Sequence, residues 1–78
     1  MIEIKYFGAV AEKTQRTFEN VASSDISLQD LLQDLKEKYQ LDSMVFSVAV
    51  NHKIIPKETD YKLQASDIVA LLPPFAGG

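Results

Sequence analysis

The stretch Asp67-Ile68-Val69-Ala70-Leu71-Leu72 decides the fold. After its leading acid it is apolar without interruption, the pattern of a central strand covered on both faces, where no alternation with polar residues is needed. Everything upstream reads as smaller pieces around it. Residues 44–50 (Met-Val-Phe-Ser-Val-Ala-Val) are rich in β-branched and aromatic side chains and predict a third strand. Asn51-His52 is a tight-turn pair leading into Lys53-Ile54-Ile55, a short fourth strand closed by Pro56. At the start, Ile2, Ile4 and Tyr6 alternate with Glu3, Lys5 and Phe7, the period of a strand over 2–7 with one buried face. Residues 15–21 are largely polar and predict a weaker second strand at a sheet edge, turned back on the first. Residues 9–13 suit a helical turn in the connection between them.

One helix stands out. Ser27 precedes Asp30 by three residues, so its hydroxyl can take an orphan backbone N–H while the acid favours the positive end of the helix dipole. Leu28, Leu31, Leu32, Leu35 and Tyr39 then recur at helical spacing, with Gln29, Asp30, Gln33, Asp34, Lys36, Glu37 and Lys38 on the other face. In a small chain with one long helix, that leucine stripe reads as core. The order strand, strand, helix, strand, short strand, strand is the β-grasp pattern. It predicts an α+β domain over residues 1–72, a mixed sheet of about five strands with the first and last side by side and the main helix on one face. An extended tail, 73–78, follows.

Composition narrows the chemistry. Seventy-eight residues, 46% hydrophobic and 24% charged, suit one small core. Without cysteine there is no thiolate nucleophile, zinc ribbon or disulfide, and a reducing compartment is compatible. The single histidine, His52, falls at a predicted turn with no partner set by spacing, so it reads as an exposed turn residue and a triad or metal site is not expected. A net charge of −3 with scattered Lys and Arg argues against nucleic acid. The alternating start is unlike a signal peptide and no apolar run reaches membrane-spanning length, so a cytoplasmic protein without membrane association is expected.

Pro73-Pro74-Phe75-Ala76-Gly77-Gly78 carries the most functional information. Two of the chain's three glycines are its last two residues. The prolines hold the approach to them extended and deny it a helix or a further ladder. Residues without a Cβ let a backbone thread a narrow channel, and here they present the Gly78 carboxylate. Ionised at neutral pH, that carboxylate is a poor electrophile until activated. The chain has no Walker loop, and Gly8 alone builds no phosphate cradle, so activation falls to a partner.

These residues resemble the sulfur-carrier branch of the ubiquitin-like β-grasp proteins, most closely the family of molybdopterin synthase small subunits. The resemblance runs through residues 1–7, the Leu28 to Tyr39 helix, Val48-Ala49-Val50-Asn51 and residues 67–78. Pro73-Pro74 before Gly77-Gly78 is its specific part, since the thiamine-pathway carriers usually lack the proline pair. It implies a carrier rather than an enzyme. An adenylating, ubiquitin-activating-like partner uses ATP to activate Gly78, a sulfur donor converts it to a thiocarboxylate, and the large synthase subunit, which holds the catalytic residues, uses that sulfur to build the dithiolene of molybdopterin. No cofactor is implied for this chain. A ubiquitin-like modifier or thiamine-pathway carrier with the same activation is the second reading, and a non-catalytic interaction domain the third. One stretch departs from the family: many members carry an arginine before the Glu12 position and a glycine soon after, where this chain has Ala11 and Lys13-Thr14-Gln15.

Strand parity predicts a partner face. If Ile2, Ile4 and Tyr6 face the helix, Phe7 faces away, and with Val69 and Leu71 in the core, Ile68, Ala70 and Leu72 turn outward. Phe7 and Leu72 should then lie together at the tail's root, with Leu63, the lone aliphatic of its loop, bordering the same patch. The resemblance implies that this patch docks on the large subunit, with Phe75 and the tail, through Pro73, Pro74, Ala76, Gly77 and Gly78, inserted into it.

Overall fold

The computed structural model describes residues 1–22, 25–56, 59 and 61–74. Its elements in chain order are β1 (Ile2–Tyr6), α1 (Gly8–Thr14), β2 (Phe18–Val21), α2 (Leu28–Tyr39), β3 (Ser47–Val50), β4 (Lys53–Ile55) and β5 (Ile68–Leu72). The five strands form one mixed sheet in the order β2-β1-β5-β3-β4. β1 and β5 are parallel neighbours, with Ile4 beside Val69 and Tyr6 beside Leu71, while the other pairs are antiparallel. This is the ubiquitin-like β-grasp arrangement. β5 is central and β2 lies at an edge, as their compositions predict.

The two central strands β1 and β5 each bury one face. Ile2, Ile4 and Tyr6 of β1 and Val69 and Leu71 of β5 join Leu28, Leu31 and Leu35 of α2 in a single core. The helix begins as its sequence dictates: the Ser27 hydroxyl accepts the Asp30 backbone N–H at 3.1 Å. It ends at Gln40, which takes a left-handed conformation and donates its N–H to the Lys36 carbonyl. Asn51 and His52 both have positive φ, 50° and 71°, which is the turn geometry whose twist matches a two-residue hairpin between β3 and β4.

Three expectations need adjustment. Residues 8–14 form a short helix rather than a single turn, because Val10 and Thr14, four apart, are both buried, and the Thr14 hydroxyl donates to carbonyls of Ala11 and Arg16. At the end of the glycine-free run Lys13-Thr14-Gln15, Gln15 adopts the left-handed conformation at φ 61° and caps α1. Among the described residues no second layer covers the outer face of β5: Ile68, Ala70 and Leu72 are half-buried while Val69 and Leu71 are buried. The uninterrupted apolar run therefore has a cause other than a two-sided core.

The third adjustment concerns Leu63, which is fully buried. The segment carrying it runs antiparallel to the start of α2. Leu63 donates its N–H to the Ile26 carbonyl and accepts from Asp25, and Leu28 donates to Tyr61. That pairing aims the side chain into the core, where Leu28 and Leu31 also lie. Leu63 is not part of the outward patch.

Candidate protein-docking face and tail root

Cross-strand register builds the site. Residues opposite one another in adjacent strands share a face, so Phe18, Lys5, Ala70, Ala49 and Ile54 form one row across β2, β1, β5, β3 and β4 on the side away from the helix. Phe7 follows β1 and Leu72 ends β5. The Phe7 N–H donates to the Leu71 carbonyl at 3.1 Å, which locks the two chain ends side by side. Phe7, Leu72, Ala70, Ile68, Ala49 and Ile54 line a shallow concavity of about 270 Å³, completed by Lys5 and His52. Its rim is exposed, Phe7 to 43% and Ile54 to 51%. Lys5 and Glu3 pair at 3.9 Å on the same face, so little net charge is left there.

An apolar concavity presented to solvent is the form of a protein-docking surface. The structure brings Phe7 and Leu72 together at the tail's root, as strand parity predicts, and places Leu63 elsewhere. Pro73 and Pro74 leave the end of β5 as exposed residues. Phe75, Ala76, Gly77 and Gly78 lie outside the described residues. Sequence reasoning missed Ile54, whose outward aim follows once the Asn51-His52 turn sets Ala49 opposite it. It read His52 as an exposed turn residue, which it is, without foreseeing that it borders the apolar patch, and it did not foresee that Gly8 has Pro73 as its neighbour.

The edge of the sheet beside α2 carries the principal polar cluster. The Tyr6 and Tyr39 hydroxyls both donate to Glu19 Oε1 at 2.5 Å, and Lys38 Nζ reaches Oε2 at 3.1 Å. Arg16 Nη1 stands 3.4 Å from the same oxygen, and the two tyrosine rings meet edge to face at 5.9 Å. Burial, reinforced by the hydrogen bond to Glu19, pushes the Tyr6 hydroxyl well above the usual phenol range. Burial acts to raise Glu19, but donation from Tyr39, Tyr6 and Lys38, with the Lys38 charge, outweighs it and holds the carboxyl below its ordinary value. The hydrogen bond to Glu19 raises Lys38. The Glu19 charge is answered inside the cluster, by two tyrosine hydroxyls and two cations. The arrangement pins the edge strand β2 to the end of α2.

Among the described residues no group of three or more His, Asp or Glu stands close enough to hold a metal ion. No helix among them is long and apolar enough to cross a membrane.

Comparison with known proteins gives this geometry a family. The crystal structure of SAMP1 from Haloferax volcanii superposes with a TM-score of 0.77 at 25% identity, covering 99% of this chain and 98% of that one. A protein–protein complex of subunits 1 and 2 of molybdopterin-converting factor from Helicobacter pylori 26695 contains a chain matching with a TM-score of 0.68 at 29% identity, covering 99% and 97%. The solution structure of small archaeal modifier protein 1 from Methanosarcina acetivorans shares the fold, with a TM-score of 0.78 at 21% identity and coverage of 99% and 95%. The ThiS family model matches residues 4–78. With the β-grasp sheet, the outward apolar patch and the Gly77-Gly78 pair within that match, the chain belongs to the ThiS family of ubiquitin-like sulfur carriers.

Proposed function

We propose that this chain is the sulfur carrier of molybdenum cofactor biosynthesis and works as the small subunit of molybdopterin synthase. The observation that carries the reading is the meeting of an uncovered apolar face with the root of a Pro-Pro…Gly-Gly tail at Phe7, Leu72 and Pro73. A docked body and a threading tail serve one purpose: the face supplies affinity, and the tail brings one reactive group to a partner's active centre. The subunit 1 and 2 complex from Helicobacter pylori supports a large-subunit partner for such a body.

The chemistry balances without a catalytic residue in this chain. In the activating partner a Gly78 carboxylate oxygen bonds to the α-phosphorus of ATP as pyrophosphate leaves, giving an acyl-adenylate. Sulfide sulfur from the donor bonds to the acyl carbon, the bond to AMP breaks, and a thiocarboxylate remains. That sulfur is a soft nucleophile held on a folded handle, delivered to the large subunit without being free in solution. Acids and bases for its transfer belong to the partners, and ATP is used by the activating enzyme.

A second reading has an observation of its own. The likeness to SAMP1, described as a small archaeal modifier protein, favours a modifier in which a lysine amine displaces AMP and forms an isopeptide bond. Both readings place the chemistry at Gly78. Deleting Gly78, or appending one residue to it, is expected to abolish activation by the adenylating partner while leaving the circular dichroism spectrum and melting temperature unchanged. Activation of the extended chain would defeat both.

A further inference from the structure

β1 and β5 run parallel side by side, so the residues that follow them emerge at the same end of the sheet: Gly8 after Phe7, and Pro73 after Leu72. They touch. A Cβ placed on Gly8 would stand 2.8 Å from Pro73 Cγ, with Cδ and Cβ of the same ring at 3.7 and 3.8 Å. The first distance is shorter than real Cβ contacts show. Cγ belongs to a closed ring fused to the backbone nitrogen, so it can shift only by a change of ring pucker and cannot rotate aside. Relief beyond that small shift requires the backbone at the root of the tail to move. Gly8 itself has little freedom to yield. It opens α1 at φ +58°, behind a Phe7 whose N–H is bonded to Leu71 and whose carbonyl accepts from Ala11. The other side of the root is fixed by the pairing of Leu72 with Ser47.

We infer that Gly8 is a positioning residue: by lacking a side chain it lets the Pro73 ring seat against the start of α1, and so sets the direction in which the tail leaves the body. This rests on the reading that Gly78 is the reacting group. The lever is long. Five residues beyond Pro73 reach at most roughly 17 Å, so a turn of about 15° at the root displaces the far end of that reach by roughly 4 Å. A misplacement of about 1 Å at a reacting centre can cost on the order of a hundredfold in rate.

Gly8→Asn isolates the contact, because asparagine tolerates the left-handed backbone yet carries a Cβ. With the activating partner, acyl-adenylate formation by Gly8→Asn is expected to lose about tenfold in kcat or more, with KM within about threefold because the apolar face is intact. Pro73→Ala removes the Cγ, so the two losses should not add: the double variant should be no slower than the worse single one. Additive losses, or an unchanged kcat for Gly8→Asn, would overturn the inference. A second measurement needs no partner. The chain has no cysteine, so Ala76→Cys takes one nitroxide label, and its paramagnetic broadening of the body's amides reports where the tail points. Gly8→Asn is expected to change that pattern, and so is Pro73→Ala alone should Gly8→Asn fail to fold; an unchanged pattern would overturn the inference. If no partner adenylates the wild-type chain, the carrier reading fails, and the broadening pattern still decides whether Gly8 and Pro73 direct the tail.

Discussion

Truncating Phe7 to alanine removes the most prominent side chain at the tail's root. Phe7 is 43% exposed, so of the roughly 200 Å² that an aromatic side chain offers, about 85 Å² remains to be covered by a partner. At about 25 cal/mol per Å² that area is worth roughly 2 kcal/mol, or about thirtyfold in Kd. Ile54, 51% exposed on the opposite rim, leaves a comparable area for burial. Ile54→Ala is therefore expected to weaken docking by about 1 to 2 kcal/mol, and Leu72→Ala, half-buried in the free chain, by less. Neither rim residue holds up the core. Leu35, 4% exposed in α2, does, and Leu35→Ala should cost about 2–5 kcal/mol of fold stability while the rim variants cost less. Calorimetric titration with the large subunit, run beside thermal melts, reads both quantities. Binding unchanged in Phe7→Ala and Ile54→Ala, or Phe7→Ala melting as early as Leu35→Ala, would refute the assignment of this face.

Glu19→Gln leaves an acceptor for the two tyrosines but loses the charge that answers Lys38 and Arg16, and should cost about 1–3 kcal/mol in urea titrations at neutral pH. Because the folded state holds Glu19 below its ordinary value of 4.5, its contribution is complete above that pH and is lost as pH falls through the lower folded value. The wild-type melting temperature should therefore drop more steeply than that of Glu19→Gln as pH falls below about 4.5, and parallel acid limbs would refute the clamp. Leu63→Ala should destabilise the fold by about 2–5 kcal/mol; a wild-type melt with weakened docking would return Leu63 to the surface. A peptide spanning residues 72–78 should be a poor substrate for the activating enzyme, since it lacks the apolar face, and turnover matching that of the whole protein would show that the face is dispensable there.

Periodicity made β1 and the capped helix legible, because each states in a few adjacent residues which face is buried, whereas β5 was legible as a central strand from an unbroken apolar run that concealed its one-sided burial. The same parity placed Phe7 and Leu72 outward. Leu63 defeated it: an isolated aliphatic in a polar loop has no neighbours at a fixed period, and its direction is set by pairing with Asp25 and Ile26, a long-range contact. Ile54 was hidden in a three-residue strand too short to show alternation. The Glu19 cluster draws on Tyr6, Arg16, Lys38 and Tyr39 from three parts of the chain, and no local pattern announces it. Gly8 reads in sequence as a strand terminator, and its contact with Pro73 depends on the parallel pairing of strands at opposite ends of the chain.

The central claim is that Gly78 carries sulfur, and the mass of the intact chain after co-expression with its adenylating partner and a sulfur donor tests it most directly. The expected species is heavier by one oxygen-to-sulfur exchange, localised to the C-terminal fragment and reverting on hydrolysis. A chain that appears instead in isopeptide linkage to lysines of other proteins, with no sulfur-bearing form, would contradict it.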